Sequence, residues 1–256
     1  MLLSTHGILA SGGTQFVDET SFLFDGVDET IQNPSGLSNQ YNTIQADPGM
    51  GANIKWTVSF WLKCNTLSTN HTLYYITDSN GSLVQYLIVQ SSGRLQAFLA
   101  GSGSNWTRSA TGAITTGTWF HIAMVYNGTN GRYTRQKIYV NGSTSGSVSN
   151  FYSANHAQSA NLYLGSRDGQ TGYLNGIINE FSVFYGTALT TAEIVTLYNN
   201  GKATNLNDFT TSPTNWYRSE NAVWNGTIWT MPDDKANGPN IESVNMQQTS
   251  LKNDVP

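Results

Sequence analysis

Short alternating or apolar runs, separated by turn residues, recur through the middle of the chain. In Trp56-Thr57-Val58-Ser59-Phe60-Trp61-Leu62-Lys63 the alternation places Trp56, Val58, Phe60 and Leu62 on one face, the period of a strand. Residues 83–89 form a dense β-forming run, and Ser91-Ser92-Gly93 joins it to 94–99 as a hairpin. Residues 119–126, WFHIAMVY, are nearly all apolar or aromatic, which suits a strand buried on both faces. The run 137–140 ends at Asn141-Gly142, a favoured two-residue turn, and the runs 161–165 and 177–185 complete the set. Many short strands with frequent turns predict an antiparallel, all-β sandwich of two sheets. One helix is predicted over 191–199. Thr190 and Glu193 have capping-box spacing, Ala192, Val195 and Leu197 recur at helical spacing, and Gly201 sits where a left-handed C-terminal residue belongs.

The pattern divides the chain into three. Residues 1–20 have no strong period and read as a leader or docking segment, and 21–201 hold the sandwich. Residues 202–256 form a C-terminal extension containing Pro213, Pro232, Pro239 and Pro256. This extension also carries Trp216, Tyr217, Trp224, Ile228, Trp229 and Met231, too much apolar area to leave in water. It is therefore expected to be ordered, against the sandwich or against a neighbouring subunit. Asn225-Gly226 is expected to turn a hairpin pairing 221–224 with 227–230. Trp216, Tyr217, Trp224 and Trp229 are the candidate assembly contacts.

Composition narrows the function classes. Only 11% of residues are charged, against roughly 25% in an ordinary domain, so Asn, Gln, Ser, Thr and Gly must build the surface. An aromatic share of 12% with a net charge of -4 excludes intrinsic disorder. Twelve basic against sixteen acidic residues exclude an electrostatic nucleic-acid binder. The apolar runs are too short to span a membrane. Cys64, the only cysteine, leaves no intrachain disulfide framework or multi-Cys zinc site and reads as a buried small hydrophobe. No Lys or Arg precedes residue 55, so no signal peptide is expected. The N-x-S/T sites at Asn70, Asn80, Asn105, Asn127, Asn141 and Asn225 then read as chance in a chain rich in these residues.

The order of landmarks is itself informative. Phe24-Asp25-Gly26 is followed by VSFWLK (58–63), GTWFHIAMVYNG (117–128), KIYVNG (137–142), LYLGS (162–166) and GYLNGIINEFSVFYGTALTTAEIVTLYNNG (172–201). This tract resembles a laminin-G-like domain of the concanavalin A-like lectin/glucanase superfamily. The resemblance implies a jelly-roll of two packed antiparallel sheets with variable loops at the rim. Asn141 and Asn179 stand where that family often has Asp, which lowers local cation affinity. Gly176 and Glu180 read as packing positions, the first for a close strand approach and the second for local pairing at a sheet edge. Residues 209–246 resemble the tail that follows such domains in bacteriophage structural proteins, and 2–11 resemble the start of phage virion proteins. These likenesses imply a virion component, such as a capsid decoration, head fibre or tail protein. Its partners would be other virion proteins, further copies of itself and surface glycans.

Enzymatic readings find little support. The related glucanases use an E-x-D-x-x-E strand for the two carboxylates of retaining hydrolysis, and this chain has none. His6, His71 and His156 fall in the leader or in predicted loops, His121 falls in a buried strand, and there is no G-x-S-x-G elbow. The expectation is a protein without catalysis. Calcium needs six to eight oxygen ligands, for which Asp78, Asn80 and Asp168 are candidates, although both segments are also ordinary turn sequences. Glycan binding needs an aromatic platform beside planar polar groups. Trp106 with Arg108 is the leading candidate, weighed against cross-strand packing, and Tyr152, His156 and Tyr173 lie in other predicted loops.

Overall fold

Strands form where the alternation places them. The computed structural model describes residues 16–33, 55–78, 80–99, 106–130, 134–148 and 159–256. The first sheet orders β10 (Ser143–Thr144), β9 (Gln136–Val140), β8 (Trp119–Asn127), β3 (Lys55–Cys64), β13 (Asn175–Tyr185), β1 (Ser21–Asp25) and β18 (Leu251–Lys252), with β14 (Asn215–Tyr217) also paired to β13. The second orders β11 (Ser147–Val148), β7 (Trp106–Arg108), β6 (Leu95–Leu99), β5 (Leu83–Val89), β4 (His71–Asp78), β12 (Ser159–Leu164), β2 (Thr30–Gln32), β17 (Ile241–Val244), β16 (Trp229–Met231) and β15 (Val223–Trp224). All these ladders are antiparallel.

The facing sides of the sheets make the main core. Phe60 of β3 meets Tyr74 of β4 edge-on at 6.2 Å, and Phe181 of β13 touches both rings. The other side of the first sheet is also covered. Helix α1 (Thr191–Tyr198) lays Ile194 and Leu197 beside Ala123, Val125, Tyr139, Phe184, Leu206 and Trp216. That second cluster explains why WFHIAMVY is apolar on both faces. The capping box is present: Thr190 Oγ1 accepts from Glu193 N at 3.3 Å, while Thr190 N donates to Glu193 Oε2 at 2.7 Å. The left-handed turn after the helix begins earlier than Gly201, at Asn199 (φ 45°) and Asn200 (φ 54°).

Residues 202–256 are knitted into both sheets. They supply β14 and β18 to the first and β15 to β17 to the second. Trp216, Tyr217 and Trp229 are buried within the chain itself, and Trp224 packs on Trp229 at 5.4 Å. The three buried aromatics are thus spent on the sandwich, the intrachain branch of the expectation. The hairpin forms in a different register, Trp224 opposite Trp229, with a four-residue loop over 225–228. Asn225 Oδ1 accepts from Thr227 N and Ile228 N, so the side chain shapes a longer turn than the Asn225-Gly226 turn that was expected. At Asn141-Gly142 the expected turn is present, with φ 49° and 77°.

Glycine marks two close approaches. A Cβ on Gly176 would sit 2.5 Å from Lys63 O, as a close strand crossing requires. A Cβ on Gly165 would sit 2.3 Å from the buried Phe24 ring, at φ +78°. Gly165→Ala is therefore expected to destabilise the fold by about 2–4 kcal/mol, overpacking added to left-handed strain. Gly81→Ala, at the same φ with open space around it, should cost only about 1–2 kcal/mol. Urea denaturation of the two variants checks the difference, and equal costs would contradict it.

Candidate functional site

The outward face of the second sheet carries an aromatic strip. On β5 and β6, Leu87, Val89, Ala97 and Leu99 point into the core, so Tyr86 and Phe98, one residue out of phase, point to the other side. Cross-strand registers then align Trp106 with Phe98, Phe98 with Tyr86, Tyr86 with Tyr75, Tyr75 with Tyr163, and Tyr163 with Gln32. One row thus crosses six strands, a span of about 24 Å at ~4.8 Å per step. Successive ring centroids lie 4.8, 5.3, 5.9 and 6.4 Å apart. Trp106, Phe98, Tyr86 and Tyr163 are half-buried and Tyr75 is buried. Burial pushes the Tyr86 and Tyr163 hydroxyls above the usual phenol range, so they remain neutral donors at physiological pH.

Two arginines lie along the row. The Arg108 guanidinium sits 5.5 Å from the Trp106 ring, and its Nε donates to Gln96 Oε1 at 2.7 Å. Arg167 sits 5.7 Å from the Tyr75 ring. Its pKa is raised, first by its hydrogen bond to Tyr75. At the Gln32 end, Tyr163 and Gln32 flank Gly169, whose carbonyl accepts from the Tyr173 hydroxyl at 2.7 Å.

Trp106, Arg108 and Tyr173 of the expected glycan residues therefore lie on or beside this strip, with Tyr173 holding a loop. Tyr152 and His156 lie outside the described residues. Tyr75, Tyr86, Phe98, Tyr163 and Arg167 were missed. The four aromatics occupy the strand positions alternate to the core, a pattern that only the cross-strand register separates from core aromatics, and Arg167 left no such signal.

The expected calcium residues do not meet. Asp78 pairs with Ser159 at one end of β12, whereas Asp168 lies beyond its other end, roughly 15 Å away along the strand. Asp78 Oδ1 accepts from Asn80 N and Ser82 N, both at 2.8 Å, so it caps its own turn, and Asn80 is exposed. Asp168 supplies a left-handed turn residue, φ 51°.

A different acidic trio, with Glu180 buried and Asp18 and Glu220 half-buried, lies at the first sheet's outer face. Asp18, Glu180 and Glu220 have carboxylate oxygens within 4.8 Å of one another, the one such group among the described residues. Glu180 is not at a sheet edge as expected. It sits in a bulge of β13, which lies between β3 and β1, with φ 55°. Glu180 accepts from Trp216 Nε1 at 2.6 Å and from Arg218 Nε at 3.1 Å. Arg218 also approaches Glu220 at 3.6 Å and Asp234 at 3.8 Å, and it lies against the Phe16 and Trp216 rings. A guanidinium thus occupies the place a cation would take. Burial outweighs Arg218 and pushes Glu180 up to about 8 and Asp18 up to about 6.

The remaining titratable candidates are structural. His71 begins β4 instead of lying in a loop, and its ring lies within hydrogen-bond distance of the Tyr173 and Thr66 carbonyl oxygens. His121 is fully buried, its Nε2 is 2.8 Å from Ser59 Oγ, and burial lowers its pKa to about 3. Burial pushes the Cys64 thiol up to about 12, which leaves it unreactive.

A two-sheet antiparallel sandwich with one short helix and an aromatic outer face defines a lectin-like β-sandwich protein. The profile of the family described as the concanavalin A-like lectin/glucanases superfamily, Laminin_G_3, matches residues 36–195 of 256, and the chain belongs to that family. Among solved structures, a Bacteroides ovatus protein provisionally described as carbohydrate binding aligns with TM-score 0.58 and 16% identity over 92% of this chain. The alignment spans 60% of the length of that protein. A heptameric SAP-like pentraxin from Limulus polyphemus aligns with TM-score 0.54 and 17% identity, over 85% of this chain and 94% of its own. No curated protein matches the chain.

Proposed function

We propose that the chain is a non-enzymatic glycan-binding structural protein of a virion surface. The aromatic strip is the observation that carries the binding part. Sugar rings have apolar faces that pack on aromatic side chains, while Tyr hydroxyls, Gln32 and the arginines supply polar partners at fixed places. Membership of a lectin/glucanase superfamily supports the same ligand class, as does the description given to the Bacteroides ovatus protein. A role without catalysis is favoured because the acidic trio is already engaged: Arg218 pairs with Glu180 and Glu220, and Asp18 accepts from Asn179. The virion placement rests on the likeness of residues 209–246 and 2–11 to phage structural proteins, with other virion proteins and further copies of the chain as partners. Asp78 and Asp168 lie at opposite ends of β12, so calcium is given no part in this reading.

Glycan-array binding by the purified chain tests the first part. Tyr86→Ala and Trp106→Ala are each expected to weaken binding about tenfold or more, the loss of roughly 1.5–3 kcal/mol of aromatic burial. No bound glycan, or binding indifferent to both changes, would overturn the reading. Reducing-sugar release from any bound polysaccharide would overturn the non-enzymatic part. Localisation on assembled particles by labelled antibody tests the virion placement.

A further inference from the structure

We infer that the strip selects an acidic glycan, one whose sugars bear carboxylate or sulfate groups at intervals along the chain. This deepens the glycan-binding reading and rests on it. The charge along the row is one-sided over its first half. Strands β5, β6 and β7 carry no acidic residue, and their one charged side chain is Arg108. None of the four ion pairs among the described residues involves Arg108 or Arg167. Both side chains are exposed.

Arg108 is also held in place. Gln96 takes the Nε of Arg108, and the guanidinium carbon lies 5.5 Å from the Trp106 ring centroid. The guanidinium's outer edge is then left as a fork, the geometry that matches a carboxylate or sulfate with two parallel hydrogen bonds. Arg167 lies 5.7 Å from the Tyr75 ring centroid. Asp168, its neighbour, opposes it in part, so Arg108 contributes the larger share. Arg108 on β7 and Arg167 over β4 are three strand steps apart, about 14 Å. Two exposed guanidinium groups at that interval along an aromatic strip fit a polymer with repeated negative groups and apolar ring faces between them. A neutral glycan offers hydroxyl oxygens to both guanidinium groups but no negative charge to match theirs.

The test compares neutral, carboxylated and sulfated glycans on one array. The wild type, Trp106→Ala, Arg108→Gln, Arg167→Gln and Arg108→Lys are each verified as folded by circular dichroism. Acidic glycans are expected to be the strongest ligands, with Arg108→Gln weakening them about tenfold or more and weakening neutral ligands several-fold less, so that the preference for acidic over neutral members narrows. Arg108→Lys keeps the charge and loses the fork, and it should weaken acidic ligands nearly as much. Preference for carboxylated over sulfated members, or the reverse, identifies which acid the guanidinium groups take. If neutral glycans bind best and only Trp106→Ala weakens them, the acidic inference is overturned while the glycan-binding reading stands. If Arg108→Lys binds like the wild type, the fork is overturned in favour of diffuse charge attraction. If no glycan binds, both fail.

Discussion

Asp233→Ala should release the C-terminal strands from the sandwich and cost about 3–5 kcal/mol. The Asp233 carboxylate is 7% exposed and accepts five hydrogen bonds. Oδ1 takes Trp216 N at 2.8 Å and Lys235 N at 3.1 Å. Oδ2 takes Asn215 Nδ2 at 2.9 Å, Asn237 N at 3.1 Å and Gly238 N at 2.8 Å. One side chain therefore fastens β14 to the 233–238 loop. Removing it strands several N–H groups away from water, which costs more than the bonds themselves were worth. Out of a typical stability of about 5–15 kcal/mol the loss is large. Urea denaturation gives the total, and hydrogen exchange should rise first at 215–217 and 229–231. A change below about 0.5 kcal/mol, the level of an ordinary surface substitution, would contradict this account.

The second large effect is a loss of stability as pH rises above neutrality. Glu180 titrates near 4.5 when unfolded and at about 8 when folded, so between those values the folded state holds a proton that the unfolded state has lost. Its contribution is fully present below about 4.5 and disappears as pH rises through about 8. Asp18, raised to about 6, acts the same way between about 3.8 and 6. His121 opposes them in the acid range. Its pKa falls from 6.5 to about 3, so its contribution is present above 6.5 and is lost as pH falls. The two trends offset each other below pH 6.5, and Glu180 dominates between 6.5 and 8. The urea midpoint should therefore drop between pH 6.5 and 8.5, and Glu180→Gln should flatten that slope. A wild-type midpoint that is constant over this range, or a slope retained in the variant, would refute the assignment.

The fold was largely legible because burial leaves a period-two record. The strands over 55–64, 119–127 and 175–185 lie where the apolar runs placed them, and Thr190-x-x-Glu193 started the helix. The site was less legible because aromatics of the outer face and of the core look alike within a dense run such as Leu83–Val89. Only the register across six strands shows that Trp106, Phe98, Tyr86, Tyr75 and Tyr163 form a row. The bulge at Glu180 and the clasp around Arg218 were hidden for the same reason. Their partners are Asp18, Trp216 and Glu220, and contacts so distant in sequence have no local pattern.

The pairing of β1 with β18 has a mechanical consequence. Ser21 lies opposite Lys252 and Phe22 opposite Leu251, so the two flanks of the sandwich leave side by side at one end of an antiparallel ribbon. Tension applied through both flanks acts on one rung at a time and peels β18 away at low force, resisted by the contacts of Asp254 with Lys63 at 2.7 Å, Trp119 Nε1 at 3.0 Å and Ser21 Oγ. Tension between one flank and a ligand held on the aromatic strip follows another path. It runs through β1, β13 and the packed core to the opposite sheet, so the sandwich resists a load on the face of the aromatic strip far better than one that pulls its two flanks apart.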